Sequence, residues 1–257
     1  MAVSERPLSG KVALVTGAGQ GMGRAIARRL SLDGATVAVN DRLADDRVAA
    51  VVAETKGVSA VADMSDRTAV AAMVTSVSRE VGDIDILVAN HAYMTMAPAL
   101  EHDPDDWWRV VDTNLGGTFW ANQAVLPGMR RRGAGRIVVI TSEWGVIGWP
   151  NATAYSASKA GLISLVKTLG RELAPEGIVV NGIAPGVTDT PQLEVDASAA
   201  GLPLSEMHRQ YARDIPLGRI GRPEDIAAVA SFLVDGRVSS LVGQILNVNG
   251  GSTRARV

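Results

Sequence analysis

Tyr155 and Lys159 are four residues apart in the segment Tyr-Ser-Ala-Ser-Lys, and Ser142 lies thirteen positions upstream at the end of an apolar run. On a helix, residues i and i+4 share one face, so the phenol would lie beside an ammonium group. A nearby positive charge lowers the pKa of a phenol from its ordinary value of about 10. Ser142 could hydrogen-bond the same substrate oxygen. The three side chains indicate a proton-transfer site. The alternative is a chance pairing on a solvated helix.

Strand-like and helix-like segments alternate along the 257 residues, as in an α/β protein. Most of the strand-like runs are apolar throughout, which is typical of a parallel sheet covered on both faces. The order predicts one domain over residues 1–257, with a doubly wound, seven-stranded parallel sheet and helices on both faces. The predicted strands are 12–16, 35–40, 58–62, 84–89, 136–141, 178–183 and 244–248. The predicted helices lie near 22–33, 44–55, 66–81, 104–131, 154–174 and 223–235.

The stretch 189–215 interrupts this regular pattern. It contains Pro191, Gly201 and Pro203 and is predicted as a long loop. A loop of this length inside a compact domain is usually an active-site lid or a disordered segment. Its apolar residues favour a lid that closes on something apolar; they include Leu193, Leu202, Leu204, Met207 and Tyr211.

Bulk composition excludes several functions. The 25 basic and 27 acidic residues give a net charge of −2, which does not support nucleic acid as a partner. The arginine run 130–132 is interpreted as the basic end of a helix. The absence of cysteine excludes disulfides, thiolate metal sites and cysteine nucleophiles, and no metal site is predicted. No signal-like segment precedes the first strand, and no apolar run approaches the ~20 residues that span a bilayer. We therefore expect a cytoplasmic protein without a membrane partner.

A glycine-rich turn directly follows the first predicted strand and opens the first helix. Its glycines lie at positions 17, 19, 21 and 23. Such residues let the backbone turn sharply and approach a pyrophosphate, which a helix N-terminus attracts. The turn is neither a P-loop nor the G-x-G-x-x-G pattern, but its place between strand and helix indicates a nucleotide site.

Asp41 ends the second predicted strand, 18 residues after Gly23. In a dinucleotide-binding fold, an acid at this place accepts hydrogen bonds from the adenosine ribose hydroxyls. Its charge would repel a 2′-phosphate, whereas the adjacent Arg42 could pair with one. We predict NAD rather than NADP, and the alternative for Asp41 is a turn residue before Arg42.

Together these motifs resemble the short-chain dehydrogenase/reductase family over essentially the whole chain. The family's T-G-x-x-x-G-x-G turn and Y-x-x-x-K pair are both present, with Ser142 at the family's spacing. Asn114, in Asp-Thr-Asn-Leu-Gly, matches the catalytic asparagine. Pro185, Gly186 and Thr190 match the P-G-x-x-x-T segment that holds the nicotinamide carboxamide, and 247–251 resembles the family's C-terminal strand. The resemblance implies a cofactor site formed by Gly17, Gln20, Gly21, Met22, Asp41, Asp63, Met64, Asn90, Tyr155, Lys159, Thr188 and Thr190.

One motif departs from the family pattern. The family's N-N-A-G is here Ala89, Asn90, His91 and Ala92. Asn90 keeps the asparagine expected near the cofactor ribose. His91 allows either a catalytic role or a packed residue at a strand end, and we favour the packed residue.

The resemblance implies reversible hydride transfer between the nicotinamide and a carbinol or carbonyl carbon. Tyr155 would act as general acid/base, and Lys159 would lower the phenol pKa and bind the nicotinamide ribose. Ser142 would stabilise the developing oxyanion. Asn114 would hold a water that links Lys159 to solvent. The alternatives are a strand-end cap for Ser142 and a helix hydrogen bond for Asn114.

Apolar and aromatic residues beside these motifs predict a medium-sized, ring-bearing secondary alcohol or ketone as substrate. The predicted substrate residues are Tyr93, Met94, Glu143, Trp144, Trp149, Leu193 and Met207. Trp144 and Trp149 could instead pack the subunit surface. Glu143 could meet an amine or a hydroxyl of the substrate.

Other functions remain open at this point. An NADPH-dependent carbonyl reductase is the main alternative, and a non-catalytic NAD-binding regulator is another class. An enoyl reductase would carry a wider Tyr–Lys spacing. The resemblance also implies a homotetramer, with the exposed faces of the 104–131 and 154–174 helices as interfaces.

Overall fold

The computed structural model describes residues 6–253 and contains a seven-stranded, all-parallel sheet. The strands are β1 (Val12–Val15), β2 (Thr36–Val39), β3 (Val58–Ser59), β4 (Ile86–Ala89), β5 (Gly135–Ile140), β6 (Ile178–Pro185) and β7 (Ile245–Val248). Their order in the sheet is β3-β2-β1-β4-β5-β6-β7. This confirms the predicted fold class, an open Rossmann-like α/β sheet.

The sheet is covered by helices that lie between the strands in the chain. They are α1 (Gly21–Leu32), α2 (Asp46–Thr55), α3 (Arg67–Val81), α4 (Pro104–Val111), α5 (Gly117–Arg132), α6 (Trp144–Ile147), α7 (Thr153–Leu173), α8 (Gln192–Ala199), α9 (Leu204–Arg213) and α10 (Pro223–Val234). The predicted 104–131 helix is divided by a π-helical turn, Asp112–Gly116, between α4 and α5. The short helix α6 was not predicted.

Two apolar cores lie on the two faces of the sheet. Along β1, Val12 and Leu14 face one core, which also contains residues of α3, α5 and α7. Ala13 and Val15 face the other core, with residues of α1, α2 and α10. Because successive side chains of a strand point to opposite faces, a strand buried on both sides must be apolar throughout. This explains the continuous apolar runs in the sequence.

The segment 189–215 is helical, so its prediction as a long loop was wrong. Pro191 and Pro203 are the residues that immediately precede α8 and α9, and Gly201 lies between the two helices with φ +65°. The fixed φ of proline suits a helix start and glycine suits the turn after a helix end. The residues that indicated a loop therefore mark helix boundaries.

The run 130–132 lies in the last turn of α5, as predicted, and its arginines form ion pairs with Asp83, Asp85 and Glu176. No helix within residues 6–253 is long and apolar enough to cross a membrane.

Candidate active site

A cavity of about 580 Å³ lies at the carboxyl ends of the strands. Residues that follow β1, β2, β4, β5 and β6 line it, among them Gly17, Asp41, Asn90, Ser142 and Gly186. In doubly wound sheets, ligands bind at this edge, at the point where the strand order reverses. Here the reversal lies between β1 and β4.

At Gly17 and Gly23, the turn 16–23 packs so closely against neighbouring residues that a side chain would not fit. A Cβ at Gly17 would lie 2.8 Å from the Cα of His91. A Cβ at Gly23 would collide with the Gly17 carbonyl oxygen and lie 2.6 Å from Nδ2 of Asn90. The N-cap of α1, Gln20, makes no side-chain cap, so the first N–H groups of the helix stay available to a phosphate.

Asn90 presents a buried hydrogen-bond acceptor to a ligand. Its Nδ2 donates to the carbonyl oxygens of Thr16 and Gly17, both at 3.0 Å. Its Oδ1 is buried and accepts no hydrogen bond from any residue that the structure describes. Because buried polar atoms rarely stay unpaired, a ligand donor such as a ribose hydroxyl suits this atom. The close turn and this acceptor fit a nicotinamide dinucleotide.

Asp41 lines the cavity at the end of β2. Its Oδ2 accepts a hydrogen bond from the Gly19 backbone N–H (3.1 Å) and its Oδ1 from that of Arg42 (2.7 Å). A Cβ at Gly19 would lie 2.6 Å from Oδ2, so the glycine makes room for the carboxylate. The backbone thus fixes a negative charge beside the phosphate-binding turn.

Every residue predicted for the cofactor lines this cavity except Lys159, which is buried. The lining members are Gly17, Gln20, Gly21, Met22, Asp41, Asp63, Met64, Asn90, Tyr155, Thr188 and Thr190. The structure therefore brings the predicted set together, and the role of each in binding a cofactor stays a prediction.

Helix α7 places Tyr155 and Lys159 on one face, with Nζ 5.5 Å from the centre of the phenol ring. Lys159 is only 1% exposed, and its Nζ donates to the Ile140 carbonyl oxygen at 2.8 Å. Ser142 follows β5, and its Oγ accepts a hydrogen bond from the Trp144 N–H at 3.1 Å. Tyr155 and Ser142 line the cavity beside the cofactor residues.

Burial sets the protonation of this pair. It raises the pKa of Tyr155 to about 12, and hydrogen bonding to Ser142 acts in the opposite direction. Burial lowers the pKa of Lys159 to about 7. The expected lowering of the phenol pKa by Lys159 is therefore not seen, because the amine is itself desolvated and directed to a carbonyl oxygen. At neutral pH the phenol is a proton donor.

Asn114 lies fully buried in the π-helical turn and does not line the cavity. Its Oδ1 accepts a hydrogen bond from the Tyr93 N–H (2.7 Å), and its Nδ2 donates to the Tyr93 carbonyl and to Ser158 Oγ, both at 3.0 Å. The side chain thus ties the helix junction to the turn after β4 and to α7. The predicted water between Asn114 and Lys159 stays a prediction.

His91 is a packed residue at the strand end. Its Nε2 lies 3.0 Å from the Thr113 carbonyl oxygen, which can only accept, so Nε2 carries the proton. Its Nδ1 then accepts from Thr16 Oγ1 at 2.7 Å. Burial and the charge of Lys159 lower the pKa of His91 to about 4. A Cβ at Gly117 would lie 2.8 Å from Nε2, so this glycine leaves room for the imidazole. The contacts favour packing over catalysis.

Five of the seven predicted substrate residues line the cavity: Tyr93, Met94, Glu143, Trp144 and Leu193. Trp149 does not; it is 41% exposed and stacks on Trp144 with ring centres 5.0 Å apart. Met207 is buried in α9 and also lies outside the lining. Their contact with a substrate stays a prediction, because side-chain direction depends on helix phase and turn geometry that the sequence did not show.

Sequence reasoning missed three charged residues of the lining: Arg47 on α2, Arg109 on α4 and Asp196 on α8. They belong to no motif and sit on helices whose orientation depends on long-range packing. For Asp196, the prediction of a loop also hid the helix that carries it.

Comparisons with known proteins agree with this geometry. Residues 17–253 match a family profile described as enoyl-(acyl carrier protein) reductase. A short-chain dehydrogenase/reductase of Armillaria gallica is 39% identical, covering 94% of this chain and 95% of its own. The 2-dehydro-3-deoxy-L-rhamnonate dehydrogenase (NAD(+)) of a Sphingomonas species is 38% identical, covering 98% and 99%. The 3-oxoacyl-[acyl-carrier-protein] reductase of Thermotoga maritima is 37% identical, covering 95% and 98%.

The chain therefore belongs to the short-chain dehydrogenase/reductase family. It is an oxidoreductase of this family, whose members bind a nicotinamide cofactor.

Proposed function

We propose that this protein is an NAD-dependent oxidoreductase that interconverts a medium-sized secondary alcohol and its ketone. One observation carries the proposal: the phenol of Tyr155 and the hydroxyl of Ser142 border the same cavity as the glycine turn and Asp41. The proton donor and the nucleotide-binding elements are thus within one ligand's reach. The Sphingomonas relative, whose name specifies NAD(+), supports the choice of cofactor.

The residues of the chain handle the proton and the substrate oxygen. Bound nicotinamide supplies or accepts the hydride. In ketone reduction, Tyr155 Oη, which its high pKa keeps protonated at neutral pH, donates its proton to the substrate oxygen. Ser142 Oγ donates a hydrogen bond to the same oxygen and stabilises its developing charge. In the reverse direction the phenol must first lose its proton, so alcohol oxidation should accelerate with rising pH.

Tyr155→Phe tests the reaction. We expect kcat to fall by roughly 10²–10⁴-fold, the usual contribution of general acid–base catalysis, while NADH binds as in the wild type. Initial rates followed at the NADH absorbance band measure the first quantity, and NADH fluorescence titration the second. Wild-type turnover by Tyr155→Phe would eliminate the proposed mechanism, and a wild-type protein inactive on all secondary alcohols and ketones would eliminate the function.

Asp41→Ala tests the cofactor. Loss of the carboxylate should remove both the ribose contact and the repulsion of a 2′-phosphate. We expect the ratio of kcat/KM for NAD to that for NADP to fall about tenfold or more. Arg42 and Arg47, which also line the cavity, support the alternative of an NADPH-dependent carbonyl reductase. A wild-type preference for NADP would establish that alternative.

The proposal includes a small-molecule substrate and a homotetrameric assembly. Exposed aromatic residues on the predicted interface helices support the assembly: Trp108 on α4 is 58% exposed and Phe119 on α5 is 40% exposed. Light scattering of the purified protein measures the assembly directly.

A further inference from the structure

Glu143 is a buried carboxylate in the wall of the candidate active site. It directly follows Ser142, is only 6% exposed and lines the cavity. Its N–H donates to the Pro185 carbonyl oxygen at 3.0 Å, and its own carbonyl oxygen accepts from the Val146 N–H in α6. The ends of β5 and β6 therefore hold this residue in place.

The two oxygens of Glu143 differ in their contacts. Oε2 accepts hydrogen bonds from Asn249 Nδ2 (3.2 Å) and from Ser252 Oγ. Oε1 accepts none from residues 6–253 and keeps some exposed surface. A Cβ at Gly186 would lie 3.3 Å from Oε1, so the bare backbone of that glycine borders this oxygen. One carboxylate oxygen remains available to a ligand.

Within residues 6–253, the charge of Glu143 also lacks an ion-pair partner. None of the ion pairs within the described part of the chain includes this carboxylate. A buried charge is costly unless it is paired as well as hydrogen-bonded. A cationic group on the ligand would complete the site.

The cavity lining carries both arginines and acids. Burial raises the pKa of Asp63, but hydrogen bonds from Ser65, aided by the charges of Arg42 and Arg109, lower it on balance. Arg109 also lies over the ring of Tyr93, 4.5 Å from its centre. Arg47 donates to Gln20. Asp196 of α8 is a further acid of the lining. None of the arginines in the described lining forms an ion pair with Glu143, so the carboxylate that follows Ser142 favours a cation there.

We propose that Glu143 binds a protonated amine carried by the substrate next to its carbinol carbon, so that the protein acts on vicinal amino alcohols and amino ketones. The inference rests on the proposed oxidoreductase function and names its substrate class. Ser142 and Glu143 are consecutive and line the same cavity, so the proposal places the amine close to the reacting oxygen.

Three alcohols with one cyclohexane skeleton test the assignment: the vicinal amino alcohol, the vicinal diol and the methyl-substituted alcohol. With NAD and the wild-type protein near neutral pH, we expect kcat/KM for the amino alcohol to exceed that for the methyl compound about tenfold or more, as expected for a charged hydrogen bond. Glu143→Gln should bring this ratio close to one. Calorimetric titration of the amino alcohol into the NAD complex reports binding independently of turnover.

Ser252→Ala is the matched control, because it removes a hydrogen bond to Oε2 and keeps the carboxylate. It should retain the amine preference. An equal fall in kcat/KM for all three alcohols in Glu143→Gln, or the same loss of amine preference in Ser252→Ala, would show that Glu143 has only a structural role. Either result would overturn the proposal. A diol preferred over the amine would overturn it too. Turnover of the methyl compound without amine preference rejects this inference alone. Amine binding that depends on Glu143 without turnover of any alcohol rejects the oxidoreductase function instead.

Discussion

The cavity has two walls that are held by different forces. The inner wall, formed by the turn 16–23 and residues 90–91, is held by short polar contacts. Thr16 Oγ1 alone contacts the N–H groups of Asn90 (3.0 Å) and His91 (3.2 Å) and the Nδ1 of His91 (2.7 Å). The outer wall, formed by α8 and α9, is held by a small apolar cluster that contains Leu193, Ile215 and Ile220 and is separate from the two main cores.

The two kinds of contact have different mechanical consequences. Hydrogen bonds are directional and fix distances, whereas apolar contacts are non-directional and tolerate rearrangement. A small cluster also opens at a lower free energy than a main core. We therefore expect the inner wall to keep one geometry and the outer wall to open locally for the substrate.

Gly23→Ala should disrupt the inner wall most strongly. Its Cβ would collide with the Gly17 carbonyl and with the Asn90 amide, neither of which can move without breaking hydrogen bonds. We expect affinity for NADH, measured by fluorescence titration, to fall about a hundredfold or more, because a displaced turn cannot approach the pyrophosphate. Gly236→Ala, where a Cβ meets no atom within 4 Å, is the control for adding a methyl group. Wild-type affinity in Gly23→Ala would show that the turn is not rigid.

His91 should make the inner wall sensitive to acid. Its pKa is lowered from 6.5 to about 4, so the unfolded chain binds this proton first as the pH falls. The contribution of His91 to the free energy of unfolding is intact above pH 6.5 and is lost as the pH falls from 6.5 to 4. The loss is up to about 3 kcal/mol, at 1.36 kcal/mol per pKa unit. Urea unfolding across this range measures the loss, and His91→Gln should flatten this part of the profile. Parallel profiles for the two proteins would assign the acid sensitivity to other groups.

Leu193→Ala should have the smallest effect and should be confined to the outer wall. Removing a buried leucine costs roughly 2–5 kcal/mol, but here the loss falls on the local cluster. We expect faster hydrogen exchange in α8 and α9 and a KM for substrate raised a few-fold, with NADH affinity unchanged. Slower folding or lower NADH affinity would mean that the two walls are coupled.

The contrast also explains what the sequence could predict. Strands β1 and β4 and the glycine turn could be predicted because their surroundings dictate the residue type. The strands are buried on both faces and must be apolar, and the turn has no room for a Cβ at Gly17 and Gly23. The predicted 58–62 strand shortens to Val58–Ser59, because it is an edge strand that pairs with β2 alone at two positions. Most of the residues that the family resemblance implied for the cofactor line one cavity, because many of them follow strands whose ends meet at one edge of the sheet.

The outer wall was less predictable for a physical reason. The prolines before α8 and α9 are helix starts, yet in sequence they are indistinguishable from loop residues. Whether Trp149 or Met207 faces the cavity depends on how helices dock, which no local pattern encodes. The role of Oε1 of Glu143 depends on Asn249 and Ser252, more than a hundred positions away.

The π-helical turn Asp112–Gly116 sets the rotational phase of one helix against the next. Such a turn contains one residue more than a regular α-helical turn. Each residue of a helix corresponds to a rotation of about 100° around the helix axis. Deleting one residue here would let α4 and α5 fuse into an uninterrupted α-helix. The fused helix would turn one of its halves by about that angle, and Asn114 would lose either Tyr93 or Ser158 as a partner. The extra residue therefore sets the rotation of α5 about its axis relative to α4. For this reason, the segment should tolerate a substitution better than the deletion of a residue.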